Sequence, residues 1–201
     1  MSKFKLLWVC AVFGLMVGCA KGSNGLPYDG WRLGLFAPNY MEVWIETADA
    51  VDVRDRVFKR AMSGVAAIQT PKNLKGNPRG WPSYPGWGAG EYVYGAAVPR
   101  LIYVRWQSLV EPQTYEAYIV IPEAIQQAMV KPEKAFCAAD AKWITGYRKG
   151  VTVGLAPGGI AKVWISGPCV SPIEVARVQG EIVKEGPYGG KSEGHHFPLG
   201  E

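Results

Sequence analysis

Val151-Thr152-Val153-Gly154-Leu155-Ala156-Pro157-Gly158-Gly159-Ile160-Ala161-Lys162-Val163-Trp164-Ile165 decides the fold class of this chain. Two apolar, β-branched runs flank a Pro-Gly-Gly step, which supplies the preset φ of proline and the positive φ that glycine tolerates. The pattern predicts a β-hairpin. Working outward, Leu101-Ile102-Tyr103-Val104-Arg105-Trp106 and Tyr115-Glu116-Ala117-Tyr118-Ile119-Val120-Ile121 form a second pair, joined by a longer connection through Glu111-Pro112. Towards the N-terminus, Trp31-Arg32-Leu33-Gly34-Leu35-Phe36-Ala37 is strand-like and stops at Pro38-Asn39. In residues 41–47, Met41, Val43 and Ile45 alternate with Glu42 and Glu46, with Trp44 on the polar face, as in a half-buried antiparallel strand. Residues 173–178 add another strand.

Residues 50–68 read two ways. Val53, Val57, Ala61 and Met62 make a helical stripe with Asp52, Asp55 and Lys59 outside, whereas a strand from Val57 onward competes, and Gly64 weakens both. Pro122 suits the first position of a short helix through Met129. Roughly seven short strands with few helices predict a mainly β chain. The expected architecture is an antiparallel β-sandwich or curled sheet with one or two short helices. No internal repeat is visible.

The N-terminal stretch reads as an address. Lys3 and Lys5 precede an apolar run over residues 6–17. That run is shorter than the roughly 20 residues that span a bilayer, and its flanks suit a secretory signal. Leu15-Met16-Val17-Gly18-Cys19 resembles the lipobox of bacterial lipoproteins, with Met16 where Leu is commonest. The resemblance implies acylation of the Cys19 thiol and removal of residues 1–18. Several acyl chains on one residue give stable anchoring. Ala20 after the cysteine resembles lipoproteins sorted to the outer membrane, so the expected location is the cell envelope, lipid-anchored and facing the periplasm. The division that follows is a signal peptide over 1–18, a lipidated tether over 19–29, a β-rich domain over 30–185 and a flexible tail over 186–201.

Removing Lys3 and Lys5 lowers the formal charge from +5 to +3. That is too little for a nucleic-acid binder, and no Lys/Arg run forms a stripe, so nucleic acid is excluded as a partner. Charged residues are 19% of the chain, below the usual value of about 25%. Aromatics, Gly and Pro are plentiful, which describes a turn-rich globular chain. Of the four cysteines, Cys10 leaves with the signal and Cys19 takes the lipid. Cys137 and Cys169 remain in an oxidising compartment, either paired or as two separate buried thiols.

Candidate chemistry is sparse. Glu42 and Glu46 on a strand would lie roughly 13 Å apart, too far for a glycosidase pair, and read as a solvated face. Asp49, Asp52 and Asp55 recur at every third residue without the glycine and loop of a calcium-binding EF-hand, and read as an exposed helix face or turn. Gly186-Pro187-Tyr188-Gly189-Gly190-Lys191-Ser192 is one residue short of a phosphate loop and lacks its strand and helix. His195 and His196 are the chain's two histidines, adjacent and without companion ligands for zinc. Ser63, Ser108 and Ser166 lack a nucleophile-elbow setting. The expectation is therefore no catalytic residue, no metal and no cofactor. The densest feature is aromatic: Trp81, Tyr84, Trp87, Tyr92 and Tyr94 sit among Pro and Gly. Those rings could pin a long loop onto the sheet, contact a protein, or stack on sugars.

Ile102-Tyr103-Val104-Arg105-Trp106-Gln107-Ser108-Leu109, with Glu111 and Tyr115 following, resembles an uncharacterised family of proteobacterial lipoproteins known as a domain of unknown function. So does Gly154-Leu155-Ala156-Pro157-Gly158-Gly159-Ile160, ending in Val163-Trp164. The resemblance spans most of the mature chain and implies no activity and no binding residues. Some relatives resemble immunity lipoproteins found with phospholipase effectors of type VI secretion. The partners expected are the membrane, through the lipid, and a secreted effector protein blocked by occlusion. An envelope glycan-binding or structural lipoprotein is the alternative.

Overall fold

The computed structural model describes residues 24–68, 73, 75, 80–82 and 84–190. Cys10, Cys19, the signal stretch, His195 and His196 lie outside them. In chain order the strands are β1 (Gly30–Ala37), β2 (Val43–Asp52), β3 (Val57–Val65), β4 (Ala67–Ile68), β5 (Ala89–Tyr94), β6 (Pro99–Ser108) and β7 (Thr114–Val120). Helix α1 (Glu123–Val130) follows, then β8 (Glu133–Cys137), β9 (Lys142–Gly146), β10 (Gly150–Ala156), β11 (Ile160–Gly167), β12 (Val170–Gln179) and β13 (Glu181–Ile182).

The chain is mainly β, in two principal sheets of antiparallel character. The Pro-Gly-Gly step turns β10 into β11, with Gly158 and Gly159 both at positive φ and Ala156 opposite Ile160. β6 and β7 form the second expected hairpin, with Tyr103 opposite Tyr118. The six-stranded sheet runs β12-β11-β10-β1-β4, with β5 also on β1, and the five-stranded sheet runs β13-β7-β6-β2-β3. Leu33, Leu35, Val151, Val153, Val163 and Ile165 of the first sheet meet Ile45, Ile102, Val104, Trp106 and Ile119 of the second in one buried core. Two pairings depart from the antiparallel expectation: β1 runs parallel to β10 and to β4. Strand order across some 115 residues is a tertiary choice that local pattern does not encode.

Residues 50–68 form the end of β2 and the strands β3 and β4 rather than a helix, and Asp52 fixes the turn between β2 and β3. Its wholly buried carboxylate accepts from the backbone N–H groups of Arg54 (2.9 Å), Arg56 (3.1 Å) and Ala97 (2.9 Å). The Arg56 guanidinium adds two further bonds, at 2.6 and 2.9 Å. These bonds close the β2–β3 turn, in which Asp55 has φ +60°. Of the exposed helix face or turn expected for Asp49, Asp52 and Asp55, the structure gives the turn, and the correction is that Asp52 is buried in it. Burial pushes that carboxyl up, but its hydrogen bonds outweigh the effect and hold it below the usual carboxylate range.

Glu46 is corrected as well. It occupies a bulge between Ile45 and Thr47, is buried, pairs with Arg105 at 3.0 Å and accepts the Tyr188 N–H at 2.7 Å. Residues 186–190 are therefore fastened, not loose. Arg105 donates to the Gly186 carbonyl and Trp44 to the Tyr188 hydroxyl. At the other end, residues 24–29 belong to the domain rather than a tether. Leu26 is in the core, and the Tyr28 ring lies 5.6 Å from that of Tyr147.

Helix α1 begins after Pro122 and buries Met129. The β8–β9 hairpin has no turn signal in its sequence, yet it is held at both ends. A disulfide joins Cys137 to Cys169, with Cα atoms 5.1 Å apart, and Arg148 pairs with Glu133 at 2.7 Å. A cross-link over 32 residues of chain contributes about 3–4 kcal/mol by restricting the unfolded state. No helix among the described residues is long and apolar enough to cross a membrane.

Candidate functional site

The outer face of the six-stranded sheet is covered by the chain itself. All seven residues of β10 are buried, so both faces of that strand are packed. Outward-facing Gly34, Gly150 and Gly154 are the cause: a Cβ on Gly34 would collide with the Trp87 carbonyl, one on Gly150 with the Trp87 ring, and one on Gly154 with the Trp81 ring. The bare strands let two indoles approach the backbone closely. Arg32 then donates to the carbonyls of Trp87 (2.7 Å), Gly88 (3.2 Å) and Gly90 (2.8 Å), while Thr152 reaches that of Gly86. Trp81 packs against Phe36 and Trp164, with centroids 5.6–5.7 Å away. The ammonium of Lys162 lies 5.0 Å over Trp164 and 5.6 Å over Trp81, paired with Glu174 at 2.7 Å. That pairing holds the Glu174 carboxyl low.

Two of the predicted binding aromatics, Trp81 and Trp87, are thus brought together as cover for the sheet. Gly154→Val should eject the Trp81 ring and cost about 1–3 kcal/mol. A lowered melting temperature with red-shifted tryptophan emission is expected; an unchanged emission maximum would contradict the seating of the ring on β10.

The other predicted aromatics lie apart from that cluster. Tyr84 is exposed. Tyr92 stands on edge strand β5, stacked on Tyr94 at 5.6 Å, beside an open groove of about 450 Å³ between β5 and β3. Lys59, Arg60 and Ser63 line the β3 side of that groove, and Glu91 the β5 side. Arg60 has φ +50° and donates its N–H to Asp49 at 2.9 Å.

The five-stranded sheet is treated differently. After edge strand β13, Gly186 and Tyr188 lie over the half of its outer face that carries Trp44, Glu46 and Arg105. Across the remaining half, Val57, Val51, Leu101 and Val120 sit in cross-strand register and form one apolar row over four strands. Val57 is 57% and Val120 66% exposed. The next row is Asp49, Tyr103 and Tyr118. The two tyrosine rings are 4.9 Å apart, Tyr118 is 61% exposed, and the Tyr103 hydroxyl donates to Glu116 at 2.7 Å. Burial and the Glu116 carboxylate raise the Tyr103 hydroxyl above its ordinary range. Asp49 accepts from the Thr47 hydroxyl at the row's end. The face therefore has an apolar strip, two tyrosines and a polar margin, the composition of a protein contact.

Sequence reasoning passed over these residues, although a sign was present. Tyr118 and Val120 occupy the outward positions of β7, where an antiparallel strand with one wet face carries polar side chains. Among the described residues, no group of three His, Cys, Asp or Glu side chains is placed to hold a metal ion.

Residues 19–195 match a family described as a protein of unknown function, DUF2931. The chain belongs to that family. The match takes in both sheets, the covering segment and the β8–β9 hairpin, so the DUF2931 domain is the whole structure described above. No curated protein and no solved structure gives a significant match.

Proposed function

We propose that this DUF2931 protein is an exported lipoprotein, held by acyl chains on Cys19, that binds another protein through the open half of its five-stranded sheet and catalyses nothing. The observation that carries the binding reading is the apolar row of Val57, Val51, Leu101 and Val120 beside Tyr103 and Tyr118. A monomeric soluble domain rarely leaves such a row uncovered, and the chain covers its other sheet with its own indoles. The anchor reading rests on the n-region, the apolar run and the Gly18-Cys19 step. At the outer membrane, facing the periplasm, such a module acts by occlusion. The fitting partner is a secreted effector whose working surface the sheet face covers, as an immunity protein would.

Glycan binding is the second reading, and one observation favours it. Tyr92 and Tyr94 present a stacked pair at a surface pocket shared with Asp29 and Lys149. Trp81 and Trp87, which would otherwise suit sugar rings, are packed on the sheet.

The test is capture by the lipidated protein and by its Val120→Asp variant, side by side, from envelope and competitor lysates. A protein retained by the first and lost by the second supports the reading; equal retention by both overturns it. Intact mass of the mature protein tests the anchor, which an unmodified Cys19 would refute.

A further inference from the structure

Hairpin β8–β9 projects a second exposed apolar feature. Phe136 and Trp143 are cross-strand partners, with ring centroids 5.6 Å apart, and are 50% and 71% exposed. Lys134 and Thr145 form the next pair on the same face. A five-residue hairpin has too little core to hold that shape alone. The Cys137–Cys169 disulfide and the buried Arg148, bonded to Glu133 and to the Ile165 and Ser171 carbonyls, make it rigid.

Charge on this segment is one-sided. Residues 131–149 hold five basic and two acidic side chains, a net +3 equal to that of the whole mature chain. Both acids are already paired, Glu133 with Arg148 and Asp140 with Lys142. Lys134 stands exposed on the face of the aromatic pair, and Lys131 is exposed just before β8.

A few residues from its start, the described chain touches the base of this hairpin. Tyr28 packs on Tyr147 and donates to the Met129 carbonyl at 3.2 Å, and the Arg32 N–H bonds to the Lys149 carbonyl. The five residues from Cys19 to Asn24 reach at most about 17 Å, which is also about the length of each hairpin arm. A bilayer that holds lipid on Cys19 therefore lies within reach of the Phe136–Trp143 face.

We infer that β8–β9 is a membrane-contact hairpin. Phe136 and Trp143 enter the headgroup layer of the bilayer that carries the lipid, and Lys131 and Lys134 meet anionic phospholipid headgroups. The inference rests on the lipid anchor at Cys19 and is independent of what the five-stranded sheet binds. It gives the anchored domain a fixed attitude on the membrane instead of free rotation about its tether.

The test uses the full mature protein, reconstituted in vesicles of phosphatidylcholine with phosphatidylglycerol, with or without bromine on the acyl chains. Bromine should quench part of the tryptophan emission, and Trp143→Phe should abolish most of that part while leaving the melting temperature unchanged. Lys131→Glu with Lys134→Glu should weaken the quenching, as should replacing phosphatidylglycerol with neutral lipid. Lipid on Cys19 with bromine quenching identical in wild type and Trp143→Phe would overturn the hairpin contact alone. An unmodified Cys19 would overturn the anchor, and the hairpin contact with it.

Discussion

Asp52→Ala is expected to destabilise the domain by about 3–5 kcal/mol, the cost of breaking a buried charged network on one side. The three backbone donors, Arg54, Arg56 and Ala97, lose their shared acceptor, and the last of these is itself buried. A domain of this size has about 5–15 kcal/mol in total, so the variant should unfold at a much lower urea midpoint. Asp52→Asn keeps one acceptor oxygen and should fall between the two. The carboxyl is held below its usual range, so its contribution is complete above the unfolded value near ~4 and fades as pH falls through the folded value. The stability gap between wild type and Asp52→Ala should therefore be constant at neutral pH and narrow in acid. A gap that persists unchanged in strong acid, or a variant as stable as wild type, would contradict the assignment.

Val120→Asp is expected to behave in the opposite way, leaving stability nearly intact while abolishing binding. Val120 is 66% exposed, so the free protein hydrates the new carboxylate, and its stability should change by no more than about 0.5 kcal/mol. In a complex the same carboxylate is buried without a partner, at a cost of about 2–5 kcal/mol, or roughly 30- to 4000-fold in Kd. Val57→Asp at the far end of the row should act similarly, and Tyr118→Ala should match the lower end as loss of an aromatic anchor. Calorimetry or surface-bound titration with the captured partner gives these constants, and denaturation of the same samples gives the stability. Wild-type affinity in all three variants would remove the face from the account.

The two hairpins around Gly158 and between Tyr103 and Tyr118 were legible because their signals are local: a turn dipeptide, or alternation within one strand. What stayed hidden depends on contacts distant in sequence. Trp81 and Trp87 carry the same residue chemistry whether they cover a sheet or meet a partner. The distinguishing sign was elsewhere, in the outward glycines Gly34 of β1 and Gly150 and Gly154, four apart within β10. Asp52 has the same local spacing as Asp49 and Asp55, and its long-range donor, the Ala97 N–H, comes from 45 residues on. The parallel insertion of β1 beside β10 follows from the collapse of both sheets on one core, which no single segment announces. Hairpin β8–β9 escaped notice because Ala138-Ala139-Asp140-Ala141 has no glycine, and its positive φ falls on Ala141. The open face at Val120 and Tyr118 was readable in principle, since β7 is apolar on both sides, but that pattern also describes a strand covered on both faces, as β10 is.

Site-specific photo-crosslinking in living cells tests the protein-docking face most directly. A benzophenone side chain placed at Tyr118, and separately at Tyr84 on the covering segment, reports which surface a partner touches. The account expects a discrete protein adduct from the Tyr118 position, abolished by Val120→Asp in the same chain. An adduct from the Tyr84 position with none from Tyr118 would contradict it and return the binding surface to the aromatic segment.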